Sequence, residues 1–155
     1  MIKLIIFDFD DTITDNVLLD YNAFLFPCKK LKIPCPNKSL IRSLRKRGFL
    51  AKEIIQYNSQ IKNKYTVKTF LKERNNFLSD KNSFKFLKLK TNTKFLLYNL
   101  KRKNIKCILC TARKNKKTVM NFIKKNQISS YFSKFYFMED LELSVDNLSR
   151  KKTCQ

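Results

Sequence analysis

Residues 5–15 read IIFDFDDTITD, and positions 8–15 of this stretch hold four of the chain's twelve acidic side chains. The apolar run before Asp8 predicts a buried β-strand. Carboxylates crowded at the end of a strand repel one another, so a cation, a shared proton or solvent must offset the repulsion. The whole chain has a formal net charge of +22, which makes this local excess of acid distinctive. We interpret it as a divalent-metal site.

Side-chain alternation adds detail to this interpretation. Side chains in a strand repeat every two residues, so extended backbone would place Asp8, Asp10 and Thr12 on one side of the chain. Ligands of α/β proteins bind at the carboxyl ends of strands, where nearby helix N-termini offer partial positive charge. The pattern favours a carboxylate nucleophile, a carboxylate acid/base and a metal. An ordinary acidic turn from strand to loop is the alternative.

Length and composition favour one domain, or one core with a small insertion. The chain has 155 residues, of which 43% are apolar, including 14 Phe and 6 Tyr. This is enough to form a hydrophobic core. The longest apolar runs fall far short of the roughly 20 residues that a membrane span needs. Because the N-terminus does not resemble a secretory signal, we expect a soluble, cytoplasmic protein.

The cysteine and histidine content restricts the chemistry. The chain has five cysteines and no histidine, which disfavours a zinc site, a disulfide framework and any histidine-dependent nucleophile. Cys107 and Cys110 have CxxC spacing, but in a strand they face opposite ways and would not bind one metal. We interpret all five cysteines as small buried or incidental thiols. Without histidine, acid/base catalysis would be carried out by carboxylates, lysines, tyrosines or cysteines.

The order of segments predicts an α/β core with a helical insertion. Strands are predicted at 2–7, 105–110 and 135–138, and helices at 91–103 and 116–125. This alternation is typical of a parallel sheet. Apolar residues between 16 and about 88 recur at helical spacing. We therefore expect residues 1–15 and 91–155 to form the core, and residues 16–90 to form an inserted helical unit.

Two motifs in this order resemble those of the haloacid dehalogenase-like hydrolase superfamily, chiefly phosphatases with a Rossmann-like core. The first is DFDDT at residues 8–12, and the second is the strand CILC at 107–110 that ends in Thr111. About a hundred residues separate them, which is similar to family members with a helical cap inserted after the first motif. The resemblance implies a Rossmann-like parallel sheet with a small α-helical cap.

The resemblance also implies a phosphoryl transfer in two steps. Asp8 would attack phosphorus to form an aspartyl-phosphate, and Asp10 would protonate the leaving oxygen and then take a proton from water. Mg²⁺ would bind a carboxylate oxygen of Asp8 and the main-chain carbonyl of Asp10. Thr111 would donate its hydroxyl to a phosphoryl oxygen, although capping the turn after the strand is its alternative role. Thr12 and Arg113 are further predicted substrate contacts.

The sequence departs from the family pattern near its C-terminal end. The family also has a lysine in a third motif and acids in a fourth, usually GDxxxD, and no GDxxxD motif is present here. Lys151 or Lys152 falls about where the lysine is expected, and Asp146 or Asp140 would be the late metal ligand. A solvated acidic loop is the alternative for both aspartates. We expect an incomplete core, explained by truncation, by a homodimer that covers the sheet edge, or by a compact variant.

The charge distribution leaves two classes of partner open. Residues 21–138 hold three acids, Glu53, Glu73 and Asp80, against most of the basic residues. A basic cap would attract small phosphorylated metabolites. Alternatives are that the patch RSLRKR at 42–47 is a solvated helix face, and that the lysine surplus reflects an AT-rich genome. We predict a magnesium-dependent phosphatase of small phosphate monoesters. The alternative is a catalytically impaired relative that binds an acidic partner such as nucleic acid.

Overall fold

The computed structural model describes residues 2–59, 61, 63–113 and 115–138. Its contacts divide the chain into a sheet unit, Met1–Asp15 with Lys88–Gln155, and a helical unit, Asn16–Leu87. Strands β1 to β5 are Leu4–Asp8, Thr14–Asp15, Lys88–Leu89, Lys106–Thr111 and Lys134–Phe137. Helices α1 to α6 are Val17–Leu31, Lys38–Lys46, Ala51–Ser59, Lys64–Ser79, Thr93–Arg102 and Lys116–Lys125. Short 3₁₀ helices are Lys81–Phe86 and Ser129–Tyr131, and Phe9–Ile13 form a turn that is closed by a hydrogen bond from the Thr14 N–H to the Phe9 carbonyl.

A parallel sheet in the order β1-β4-β5 forms the centre of the sheet unit. Its register pairs Asp8 with Cys110 and Thr111 with Phe137. From β1 to β4 and from β4 to β5, the chain moves in the same direction across the sheet. Right-handed crossovers in one direction place α5 and α6 on the same face of the sheet. The predicted α/β class with a parallel sheet is confirmed.

Alternate residues of this sheet form the core of the sheet unit. Phe7, Leu109 and Phe135 make one row on the face that the helices cover. Cys107 is buried and Cys110 is exposed, which confirms that these two cysteines face opposite ways. The other large buried side chains of the unit are Phe9, Ile13, Leu97, Val119, Phe122, Ile123, Ile128, Phe132 and Phe137.

The helical unit has a hydrophobic core of its own. Its buried residues are Phe24, Cys28, Ile41, Leu44, Ala51, Ile54, Ile55, Val67 and Phe70. Burial raises the pKa of the Cys28 and Cys35 thiols, so both stay protonated at neutral pH and are poor nucleophiles and metal ligands. Among the helices of the described ranges, none is both long and apolar enough to cross a bilayer.

Asp20 on α1 links three helices of this unit. Its carboxylate accepts hydrogen bonds from Nε and Nη2 of Arg45 on α2, at 3.1 and 3.2 Å, and from Nη2 of Arg74 on α4, at 2.9 Å. Both guanidinium groups also lie over the ring of Phe24, 5.8 and 5.6 Å from its centroid. Burial lowers the pKa of Arg74, and the carboxylate of Asp20 opposes that shift. Arg45, from the basic patch at 42–47, therefore has a structural role rather than lying on a solvated face.

We expect Asp20→Asn to lower the free energy of unfolding by about 2 kcal/mol, because it leaves two partly buried guanidinium groups without a carboxylate. Glu73→Gln is the matched control. Glu73 pairs with Lys30 at 2.8 Å, but the Lys30 side chain is 65% exposed, so water screens this pair. The control should cost less than about 0.5 kcal/mol in urea denaturation followed by circular dichroism. Equal losses in the two variants would contradict the structural role of Asp20.

Gly48, the only glycine in the chain, ends α2. Its φ of +85° lies in the left-handed region. The Gly48 N–H donates to the Arg45 carbonyl at 2.9 Å, and the Phe49 N–H donates to the Leu44 carbonyl at 3.0 Å. These two bonds form a Schellman motif, which satisfies carbonyls at the end of the helix.

Gly48→Ala should destabilise the protein by about 1 kcal/mol, because a residue with a Cβ is strained in this conformation. The strain would be the whole effect, since a Cβ there meets no atom within 4 Å. Ser43→Ala, on the exposed side of α2, is a control that should be neutral or slightly stabilising. Chemical denaturation measures both variants, and an unchanged midpoint for Gly48→Ala would argue against the left-handed helix end.

Candidate active site

The acidic motif leaves its strand in a turn. Strand β1 ends at Asp8, and Phe9–Ile13 form a turn whose backbone is not helical at Asp10 and Asp11. Asp10 keeps extended angles, φ −75° and ψ 131°, but Asp11 has φ 54°, in the left-handed region. The left-handed Asp11 interrupts the two-residue alternation between Asp10 and Thr12, so the backbone is not extended from Asp8 to Thr12.

A buried phenylalanine and a buried threonine fix this turn to the core. The Thr14 hydroxyl donates to the Phe9 carbonyl at 3.0 Å, and both residues are fully buried. The Thr14 backbone N–H donates to the same carbonyl. The Phe9 ring packs edge-on against Phe122 of α6, with ring centroids 5.6 Å apart. Asp8 and Asp10 are therefore the two sequence neighbours of a buried residue, Phe9.

Lys90 brings a positive charge to the turn. Its ammonium group donates to the main-chain carbonyl of Asp11 at 2.7 Å. Its backbone N–H donates to the Ile13 carbonyl at 3.0 Å, next to the antiparallel pairing of Thr14 with Leu89. Sequence reasoning missed Lys90, and no local signal distinguishes it among the many lysines of this chain.

Arg113 pairs with Asp10 at the carboxyl edge of the sheet. Its Nη2 donates to one carboxylate oxygen at 2.6 Å, and its Nε lies 3.0 and 2.9 Å from the two oxygens. The Arg113 side chain is only 17% exposed. Its guanidinium also lies over the Phe9 ring, 5.6 Å from the centroid. Pairs of this kind are strong and geometrically specific, so the contact joins the turn after β1 to the loop after β4.

Thr111 is buried at the end of β4. Its hydroxyl oxygen accepts a hydrogen bond from the Arg113 N–H at 3.2 Å, which is the turn-capping role. A hydroxyl that accepts one hydrogen bond can still donate another, so capping and a phosphoryl contact are compatible. Thr111 follows Cys110, the register partner of Asp8. The structure thus brings Asp8, Asp10, Thr111 and Arg113 to the carboxyl ends of two neighbouring strands.

The other predicted site residues divide into two groups. Thr12 is exposed on the turn that carries Asp10. Lys151 and Asp146, with their alternatives Lys152 and Asp140, lie outside the described residues.

The donors at this edge are oxygen atoms. They include the carboxylate of Asp8, which is exposed. Within the described part of the chain, no group of three or more Cys, Asp or Glu side chains is placed to hold a metal ion. A hard cation that keeps several waters needs few protein oxygens, and Mg²⁺ is such a cation. The donor chemistry of the site therefore fits Mg²⁺.

A protein-family model described as haloacid dehalogenase-like hydrolase matches residues 5–146. The match covers most of the chain and includes both the DFDDT turn and the strand that ends in Thr111. No curated protein matches the sequence.

Several solved structures share the fold at low sequence identity. A haloacid dehalogenase-like hydrolase from Streptococcus pneumoniae is 21% identical, with a TM-score of 0.65 over 88% of this chain and 61% of its own. A HAD-superfamily hydrolase of subfamily IA from Geobacter sulfurreducens is 16% identical, with a TM-score of 0.64 over 88% and 62%. A predicted phosphatase from Clostridium acetobutylicum is 18% identical, with a TM-score of 0.59 over 88% and 61%. The chain spans about three fifths of the length of these proteins.

A double-mutant cycle tests the pair between Arg113 and Asp10. Arg113→Lys keeps the charge but loses the two-pronged geometry, and Asp10→Asn removes the carboxylate. We expect a coupling energy of about 1 kcal/mol between the two substitutions in urea denaturation, because the residues are in direct contact. Strictly additive effects would show that the pair does not link the two loops.

Proposed function

Since the chain belongs to the haloacid dehalogenase-like hydrolase family, we propose that it is a magnesium-dependent phosphatase of small phosphate monoesters. The bidentate pair between Arg113 and Asp10 is the observation that carries this proposal, because it joins the DFDDT turn to the loop after β4. One edge of the sheet thereby presents carboxylates, a hydroxyl and a guanidinium. Phosphoryl transfer needs a nucleophile, an acid and donors toward the phosphoryl oxygens, and this set supplies all three.

Asp8 is the proposed nucleophile. It is exposed at the end of β1, so a phosphate ester has access to its carboxylate. One oxygen attacks phosphorus while the bond to the leaving oxygen breaks, which gives an aspartyl-phosphate. Water then attacks phosphorus, the carboxylate re-forms and phosphate leaves. The buried neighbour Phe9 holds the backbone in place, so the direction of attack is constant.

Asp10 is the proposed acid and base. It gives a proton to the leaving oxygen in the first step and takes one from water in the second. In the structure, both of its carboxylate oxygens accept hydrogen bonds from Arg113. Arg113 therefore has to release at least one oxygen before Asp10 reaches a substrate. An entering phosphoryl group offers the guanidinium another acceptor of the right geometry, so we infer that Arg113 moves from Asp10 to the phosphate.

The remaining roles complete the proposal. The carboxylate of Asp8 and the main-chain carbonyl of Asp10 would hold Mg²⁺, with Asp146 as the predicted late ligand. When bound, the ion offsets the negative charge of the phosphoryl oxygens and the nucleophile. Thr111 donates its hydroxyl to a phosphoryl oxygen, and Thr12 contacts the substrate.

Other parts of the sequence interpretation stay predictions. Lys151 is the predicted third-motif lysine, and residues 16–90 are the predicted cap. Cytoplasmic location and a preference for small phosphorylated metabolites over nucleic acid are also predictions from the sequence.

Asp8→Asn should lower kcat/KM for p-nitrophenyl phosphate by at least about a thousandfold, because the amide does not attack phosphorus. Asp11→Asn is the matched control: it removes one carboxylate from the same turn, and asparagine tolerates the left-handed angles of this position. This control should retain most of the activity. Removal of metal with EDTA should stop hydrolysis, and added Mg²⁺ should restore it.

Two results would contradict the proposal. The first is a wild-type protein that does not hydrolyse aryl phosphates when Mg²⁺ is present. The second is equal activity in Asp8→Asn and wild type. Salt-sensitive binding of nucleic acid that is the same in both proteins would instead favour the catalytically impaired alternative.

A further inference from the structure

Helix α5 has a side that carries exposed aromatic and aliphatic groups. The helix buries Thr93 and Leu97 within the sheet unit. Of its other residues, Phe95 is 68% exposed, Tyr98 50% and Leu96 48%. Because an α-helix has about 3.6 residues per turn, Phe95 and Tyr98 are neighbours on the side opposite the buried pair. Apolar groups that cluster on a surface, rather than lying scattered over it, mark an interaction site.

Basic side chains surround these apolar groups. Lys94, Arg102 and Lys103 are exposed on the same helix and at its end. The guanidinium of Arg102 lies over the Tyr98 ring, 5.9 Å from its centroid. Residues 81–138 of the sequence contain no Asp or Glu. We call this basic and apolar surface the α5 face and define it by Lys94, Phe95, Leu96, Tyr98, Arg102 and Lys103.

Charge complementarity restricts the partner of the α5 face to an anion. A second copy of this chain would bring a further net charge of +22 toward the same surface, and the two copies would repel each other. Small ligands bind in concave pockets, whereas the α5 face lies on the outside of a helix and its rings project from it. The partner that fits is therefore an extended anionic surface or polymer.

The exposed apolar groups favour a lipid surface over nucleic acid. Proteins bind single strands by stacking bases on aromatic rings. Leu96 has no ring, and the Arg102 guanidinium covers one side of the Tyr98 ring. A bilayer interface accepts aliphatic and aromatic groups alike, and lysine and arginine side chains reach the lipid phosphates from there. Binding of this kind lies in the plane of the membrane and needs no spanning helix.

We propose that the α5 face docks this protein on an anionic membrane surface. Phe95, Leu96 and Tyr98 enter the boundary between headgroups and acyl chains, and the basic side chains bind lipid phosphates. Each Lys or Arg near such a surface strengthens binding by about fivefold, and burial of the apolar groups adds to this. The proposal is independent of catalysis, because no residue of the α5 face belongs to the candidate active site.

Co-sedimentation of the full chain with vesicles tests this proposal. We expect binding to vesicles of phosphatidylcholine and phosphatidylserine in equal parts, and none to phosphatidylcholine alone. The double variant Phe95→Ser, Tyr98→Ser should bind the anionic vesicles at least about tenfold more weakly. The matched control is Tyr57→Ser, Tyr65→Ser, which removes two rings of the helical unit that are 64% and 76% exposed and leaves the net charge unchanged. This control should bind as the wild type does.

A fluorescence reporter keeps the test decisive if the serine variants unfold. The chain has no tryptophan, so Phe95→Trp provides a single one within the α5 face and Tyr65→Trp provides one outside it. With the anionic vesicles, we expect the emission of the Phe95→Trp variant to shift to shorter wavelength and to be quenched by brominated lipid, because the indole leaves water for the interface. The Tyr65→Trp variant should show neither change.

Three results would overturn the proposal. The first is equal binding of anionic vesicles by the two serine variants, or an unshifted emission in Phe95→Trp. The second is binding of single-stranded polyuridylate that depends on Phe95 and Tyr98, without binding of vesicles, which would favour nucleic acid as the partner. The third is an oligomer in sedimentation that Phe95→Ser, Tyr98→Ser abolishes, without binding of vesicles, which would favour a second copy of the chain.

Discussion

The parallel pairing of β1 with β4 is the constraint on which the rest of the structure depends. It aligns Asp8 with Cys110, residues that are about a hundred positions apart in the sequence. Parallel strands bring their carboxyl ends to the same edge, so the turn after β1 meets the loop after β4. The 2.6 Å contact between Arg113 and Asp10 is a direct consequence. The helical unit is inserted between these two strands in the sequence.

The same pairing explains why the site is buried on one side and exposed on the other. Phe9 and Thr14 hold the acidic turn against the core, and the guanidinium of Arg113 lies over the Phe9 ring. Asp8 and Thr12 remain exposed. A site that binds a ligand and directs a reaction needs this combination of fixed backbone and accessible side chains. The one-directional order of the strands, which builds the edge, also places α5 and α6 on the same face of the sheet.

Sequence reasoning predicted much of the fold and part of the candidate site. The predicted helix at 116–125 coincides with α6, because its apolar residues recur at helical spacing. The haloacid dehalogenase-like family, predicted from the two motifs, is confirmed by the match over residues 5–146. The alternation predicted along the DFDDT motif stops at Asp11, because alternation describes extended backbone and Asp11 has a left-handed φ of 54°. Lys90 was missed, because its role depends on strand pairing and not on its neighbours in the sequence.

The sequence by itself determined the α/β class, the three strands of the parallel sheet with helices α5 and α6, and the acidic turn after the first strand. These features follow from local patterns of apolar and charged residues, which act over a few positions. Only the tertiary structure decided that Arg113 holds Asp10, across 103 positions, and that Arg74 reaches Asp20, across 54. The physical reason is that such contacts form when packed elements bring distant side chains within hydrogen-bond distance, and no local periodicity contains that information.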